Sequence, residues 1–192
     1  MILKVKLRSD VGLVGLRNVG KSTILSILSN AKPKIANYHF TTLQPNLGVV
    51  NIGEGASFII ADVPGLIEGA SDGLGLGHDF LRHIERTKVL AHVVDMSGSE
   101  GRDPLEDFAL IQDELASYNK ELLDRVKILV ANQKDLSGFE DTLVRFKEAY
   151  PDLQILEVSG ATTEGTNELN YALWSYLENQ EKTYVSLDEE SV

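Results

Sequence analysis

Short apolar runs alternate along this chain with segments of helical period. The runs are Val11–Val14, Val49–Ile52, Phe58–Ala61, Val89–Asp95, Lys127–Ala131 and Ile155–Val158, each of strand length. The helical segments are Ser22–Ser29, His78–Thr87, Pro104–Tyr118, Phe139–Tyr150 and Thr166–Glu181. In the last of these Leu169, Ala172, Leu173, Tyr176 and Leu177 share one face at the spacing of an amphipathic helix. Asp103 followed by Pro104 reads as an N-cap and a first helical residue. Strands alternating with helices predict an α/β fold: a mostly parallel six-stranded sheet with helices on both faces. Ligands of such sheets bind at the carboxyl ends of the strands. Residues 2–8, "ILKVKLR", read as an extended segment entering the domain, and 185–192, "VSLDEESV", as a linker or frayed end. The expected organisation is therefore an incoming strand over 1–9, a domain over 10–181 and a tail over 182–192.

Two motifs at predicted strand ends point to phosphate chemistry. "VGLVGLRNVGKST" is strand, glycine-rich loop, then helix, and Gly15, Gly20, Lys21 and Ser22 fit G-x-x-x-x-G-K-[ST]. The glycines let successive N–H groups point inward around phosphate oxygens. Lys21 adds a charge to the outer phosphates, and Ser22 opens a helix whose positive end faces the anion and offers a hydroxyl to Mg²⁺. Forty residues on, "FIIADVPGL" ends a strand in Asp62, a carboxylate for the Mg²⁺ shell, with Gly65 able to approach a γ-phosphate. Between them "NYHFTTLQPNLG" carries Thr41 and Thr42, of which one can point at a metal. "LIEGASDGLGLGHDF" has four glycines, as expected of a segment ordered only by a ligand.

A third motif reads the base. "KILVANQKD" ends in Asn132, Gln133, Lys134 and Asp135, one residue away from N-K-x-D. Asp135 can accept from guanine N1–H and N2–H, donors that adenine lacks. Asn132 is expected to brace the surrounding loops. Gln133 keeps part of a lysine's stem without its charge, which predicts guanine specificity with weakened affinity. Lys134, at the variable position, reads as solvated. After the last strand, "VSGATTEG" places Ser159, Gly160 and Ala161 where a backbone N–H can meet the guanine O6.

Composition narrows the setting. The chain has 192 residues, no cysteine and a net charge of −11, so disulfide frameworks, thiolate metal sites and non-specific polyanion binding are disfavoured. Positive charge gathers in residues 1–38, where it can face phosphates. No apolar run reaches the length of a membrane helix. The expectation is a cytoplasmic, monomeric protein with no membrane partner.

These motifs, with the long block "ADVPGLIEGASDGLGLGHDFLRHIERTKVLAHVVDMSGSEGRDP", resemble the Obg family of translation-factor-class GTPases across about 10–181. The resemblance implies a Ras-like P-loop G domain that hydrolyses GTP and acts in assembly of the large ribosomal subunit. It implies nucleotide contacts from Gly15, Leu16, Arg17, Asn18, Val19, Gly20, Lys21 and Ser22, then from Phe40, Thr41, Thr42, Leu43 and Gln44. Further contacts are implied from Asp62, Val63, Pro64 and Gly65, from Asn132, Gln133, Lys134 and Asp135, and from Ser159, Gly160 and Ala161. It implies Mg²⁺ on Ser22 and Thr42, with Asp62 in its shell, and catalytic roles for Lys21, Thr42, Gly65 and Asn18. Three positions depart from the family pattern: Arg17 for proline, Gln133 for lysine and Gly160 for alanine. The family's flanking domains lack counterparts, so the chain resembles an excised G domain. Leu66 follows Gly65 where Ras-like enzymes orient the attacking water with glutamine, which predicts slow intrinsic turnover. Asn18 matches a loop asparagine that binds K⁺ in related GTPases. A sensor of GDP or guanosine tetraphosphate with negligible hydrolysis is the alternative function, and an ATPase that lost guanine reading is a further rival.

Overall fold

The computed structural model describes residues 9–35, 45–53, 55–62, 84, 85 and 87–189, with backbone alone from 180 onward. Seven strands, not six, form one sheet: β1 (Val11–Val14), β2 (Lys34–Ile35), β3 (Asn46–Gly53), β4 (Ala56–Asp62), β5 (Val89–Asp95), β6 (Val126–Asn132) and β7 (Gln154–Glu157). The additional strand, β2, is two exposed residues paired antiparallel to β3, too short to carry an alternating pattern. The strand order is β2-β3-β4-β1-β5-β6-β7. β3 is antiparallel to β4, and every pairing from β4 to β7 is parallel.

Five helices cover the sheet in the described residues: α1 (Lys21–Leu28), α2 (Pro104–Tyr118), α3 (Glu121–Arg125), α4 (Phe139–Ala149) and α5 (Thr166–Glu189). α5 runs on to Glu189, into the stretch read as a tail. Of the segment His78–Thr87 only Ile84, Glu85 and Thr87 are described, and Ile84 is buried. None of the helices in the described residues is long and apolar enough to cross a membrane.

Strand periodicity sorts the core into two layers. On β5, Val89, Ala91 and Val93 pack with Ile24 and Leu25 of α1 and Leu169 and Leu173 of α5. Leu90 and Val94 face the other way, toward Ile111 of α2 and Phe139 of α4 respectively. Burial on both faces explains why β5 is apolar in nearly every residue, whereas β3 alternates buried Val50 with exposed Val49 and Asn51. α2 starts as expected: Asp103 Oδ1 accepts from Leu105 N at 2.9 Å and Pro104 takes the first turn.

The topology also places a crevice. From β1 the chain goes first to β2, β3 and β4 on one side, then crosses to β5 on the other. The carboxyl ends of β1 and β5 flank this switch point, where open α/β sheets take their ligands.

Candidate functional site

The loop from Gly15 to Gly20 sits at that switch point. Gly15 has φ 147°, and a Cβ there would lie 2.3 Å from the Val93 carbonyl oxygen of β5. Gly20 has φ 95°, and its Cβ would meet Asn132 Nδ2 at 2.2 Å. Both positions therefore need glycine for space as well as for conformation. Gly20 also caps α1 without a side-chain bond, so among the described residues no cap side chain covers the first-turn N–H groups of the helix. Lys21, 7% exposed, donates from Nζ to the carbonyls of Gly15 at 2.9 Å and Leu16 at 2.6 Å. The loop thus curls around its own ammonium. Arg17 and Asn18 are exposed at the tip, and Leu16 and Val19 turn inward against the core.

A hydroxyl–carboxylate pair stands beside this loop. Asp62 ends β4 as expected and is 5% exposed. Its Oδ2 accepts from Ser22 Oγ at 2.5 Å, and its buried Oδ1 has no hydrogen-bond partner among the described residues. An orphaned buried carboxylate oxygen is costly unless something polar completes it. Two hard oxygen donors at a phosphate loop suit Mg²⁺, which keeps waters and phosphate oxygens as its other ligands. Among the described residues there is no cluster of three or more His, Cys, Asp or Glu for an all-protein metal cage.

On the opposite side of the loop lies the stretch read as base-contacting. Asn132, 3% exposed, donates from Nδ2 to Val19 O at 2.8 Å and accepts at Oδ1 from Gly160 N at 3.1 Å. One side chain thereby clasps the phosphate loop to the loop after β7, the bracing expected of it. Asp135 is exposed and accepts from Ser159 Oγ at 2.6 Å. Ser159 Oγ accepts in turn from the N–H groups of Ala161 and Thr162. The carboxylate is thus held by one hydroxyl and otherwise open to solvent.

Two residues of this stretch behave differently from expectation. Lys134 is not simply solvated: its Nζ meets Glu164 Oε1 at 2.8 Å and Glu157 Oε2 at 3.5 Å. The hydrogen bond it donates to Glu164 leads the effects that hold its pKa above the ordinary lysine value. Gln133, at φ 66°, turns toward β5. With its amide nitrogen facing the carboxylate, it donates to both oxygens of Asp95, at 3.0 Å to Oδ2, and reaches Ser97 Oγ at 2.6 Å.

That contact belongs to a loop that carries none of the sequence motifs. Residues 96–102 leave β5 and lie over the phosphate loop. Glu100 Oε2 accepts from Asn18 Nδ2 at 3.3 Å, and Arg102 Nη2 approaches Arg17 O at 3.5 Å. The signal was available: like Asp62, Asp95 is a carboxylate ending an apolar strand, and Ser97, Gly98 and Ser99 follow it. Beneath this end of the sheet His92 is 1% exposed, stacks on Phe108 at 4.6 Å and has Gln112 Nε2 3.2 Å from its Nδ1. Burial, then the charge of Lys21, pushes its pKa down to about 3, so the ring is neutral.

Other predicted positions lie outside the described residues: Phe40, Thr41, Thr42, Leu43, Gln44, Val63, Pro64, Gly65 and Leu66. The structure brings together the remaining ones. Gly15–Ser22, Asp62, Asn132–Asp135 and Ser159–Ala161 gather on the carboxyl edge of the sheet.

Known proteins resemble this chain in sequence and fold. The sequence profile of the family described as "50S ribosome-binding GTPase" matches residues 10–133. "GTPase Obg" of Finegoldia magna is 60% identical over 192 residues, covering 99% of this chain and 45% of that protein. The chain thus spans about half the length of the curated relatives it matches. Among solved structures, Aquifex aeolicus Era bound to GDP·AlF4⁻ aligns with TM-score 0.64 and 26% identity, covering 86% of this chain and 56% of that one. Era in complex with MgGDPNP and nucleotides 1506–1542 of 16S ribosomal RNA aligns with TM-score 0.66 and 27% identity, over 88% and 56%. The profile covers more than half the chain, the Obg resemblance holds over nearly all of it, and the chain belongs to the 50S ribosome-binding GTPase family.

Proposed function

We propose that this chain is a guanine-nucleotide switch that binds GDP and GTP with Mg²⁺ and hydrolyses GTP slowly. One observation carries the reading: the Asn132 side chain ties the Gly15–Gly20 loop to the Ser159–Ala161 loop, with Asp135 presented beside them. A phosphate cradle and a guanine-selecting carboxylate are then held at fixed separation before any ligand arrives, which lowers the ordering cost of binding. The relatives' names, and the nucleotides in the Era structures, support the same reading.

In this mechanism Lys21 exchanges the carbonyls of Gly15 and Leu16 for phosphate oxygens, so its charge is never left unpaired. The first-turn N–H groups of α1, left without a side-chain cap by Gly20, take the anion. Ser22 and Asp62, with Thr42, would hold Mg²⁺, and the ion would supply neutralisation of the phosphate charge. Asp135 selects the purine by accepting from N1–H and N2–H. Hydrolysis is in-line attack of water on the γ-phosphate, catalysed by positioning and charge compensation. Asn18, whose amide donates to Glu100 Oε2, takes part through K⁺ by exchanging that contact for the ion's site. The family description and the Obg relatives, about twice this length, support a role at the large ribosomal subunit.

The test is single-turnover phosphate release from GTP, with Lys21→Ala as control and with K⁺ against Na⁺ at equal ionic strength. The proposal expects release from the unmodified chain only, faster in K⁺. Tight GDP binding with release no faster than in the control would favour the nucleotide sensor instead, the reading that Leu66 suggests. Asp135→Asn is expected to move preference from guanine toward xanthine nucleotides.

A further inference from the structure

We propose that Asp95 is a positioning residue for base selection: acting through Gln133, it fixes the aim of Asp135. The inference rests on the guanine-nucleotide reading above. Asp95 is 5% exposed at the end of β5, directly opposite Asn132 in the sheet register. Four neutral donor groups converge on its carboxylate. Ser97 N donates to Oδ1 at 2.9 Å, Ser97 Oγ to Oδ1 at 2.6 Å and Ser99 Oγ to Oδ2 at 2.6 Å. The Gln133 amide is the fourth. A group that only accepts is what such a set requires, and a carboxylate satisfies all of it.

The consequence lies at Gln133. This residue holds φ 66°, a left-handed conformation that is strained for a residue with a Cβ. Its side-chain bond to Asp95, together with the Leu136 N–H donating to its carbonyl at 3.0 Å, offsets that strain. Each neighbour has its own anchor: Asn132 on Val19 and Gly160, the Lys134 N–H on Val158 O at 3.1 Å, and Asp135 on Ser159. Rotation about the Gln133 backbone swings Asp135, so losing the Asp95 tie misdirects the carboxylate that faces the base. The 96–102 loop, held by the same carboxylate, carries Glu100 and Arg102 onto Asn18 and Arg17. Base and phosphate ends of the site therefore share one anchor.

The test compares GDP with IDP, whose base lacks the 2-amino group and so reports one of the two bonds to Asp135. Dissociation constants are measured for the intact chain and for Asp95→Ala, Asp95→Asn and Gln133→Ala, with thermal melts alongside. Asp95→Ala is expected to weaken GDP about 10-fold and IDP less, so that the preference for GDP narrows. Asp95→Asn should recover most of that preference, because Gln133 can turn its amide over and accept from the new Nδ2. Should Asp95→Ala not fold, Gln133→Ala is expected to narrow the preference in the same way. Equal weakening of GDP and IDP in the alanine variants, or no weakening, overturns the proposal and leaves Asp95 a structural loop anchor. Absence of any GDP preference in the unmodified chain overturns the guanine reading itself, and the two failures are thereby told apart.

Discussion

Truncating Asn132 to alanine tests the clasp that organises the site. The change removes the bond to Val19 O at 2.8 Å and the one from Gly160 N at 3.1 Å. Val19 is 2% exposed, so its carbonyl keeps the larger share of its desolvation cost, while the partly buried Gly160 N–H can recruit water. At about 1–3 kcal/mol for each buried group left unpaired, the nucleotide-free protein should lose about 2–4 kcal/mol. For a chain of this size that is a fall in Tm of roughly 5–15 °C. Asn132→Asp sharpens the test: it keeps an acceptor for Gly160 but sets a carboxylate oxygen against the Val19 carbonyl, so it should destabilise at least as much. The assay is urea or thermal unfolding without nucleotide, followed by GDP titration of the folded variants. An Asn132→Ala protein that melts within about 2 °C of the parent and binds GDP equally well would refute the clasp.

Further expectations concern neighbouring groups. Gly20→Ala should be severely destabilising, because its Cβ would sit 2.2 Å from Asn132 Nδ2, and its cost should shrink in an Asn132→Ala background, measurable as a double-mutant cycle by chemical unfolding. Gln133→Lys would set an ammonium beside Asp95, restore the familiar motif and tighten GDP binding by about 1–2 kcal/mol, read by calorimetry. His92 has a pKa pushed below its unfolded value of 6.5 to about 3, so its contribution to stability is fully present above pH 6.5 and is lost as pH falls from there toward 3. Between pH 8 and pH 5 the loss is about 2 kcal/mol, and His92→Phe should flatten that part of the stability profile. Asp103→Ala removes the cap on Leu105 N and should cost about 1 kcal/mol in unfolding experiments.

What the sequence disclosed follows from locality. The phosphate loop, the strand-ending Asp62 and the Asn132–Asp135 stretch are contiguous patterns whose chemistry demands particular residues at particular spacings, so they could be read directly. β5 and the N-cap at Asp103 were equally plain, because burial on both faces and capping each leave a local mark. β2 left none, being two exposed residues that owe their conformation to β3. The bond from Gln133 to Asp95 spans residues distant in sequence, and only the parallel pairing of β5 with β6 brings them together. Gln133 could be seen as a departure from the usual lysine, but where an uncharged side chain would turn depends on a partner across the sheet. The same applies to Lys134, whose acidic partners sit at the end of β7 and in the loop that follows it.

Titration calorimetry of the chain with GDP and with ADP, in Mg²⁺, bears most directly on the central claim that a preorganised phosphate cradle and one purine-selecting carboxylate act together. Saturable heat with GDP and none with ADP at the same concentrations is the predicted result. No heat with GDP at millimolar concentration, or equal heats with both nucleotides, would contradict it.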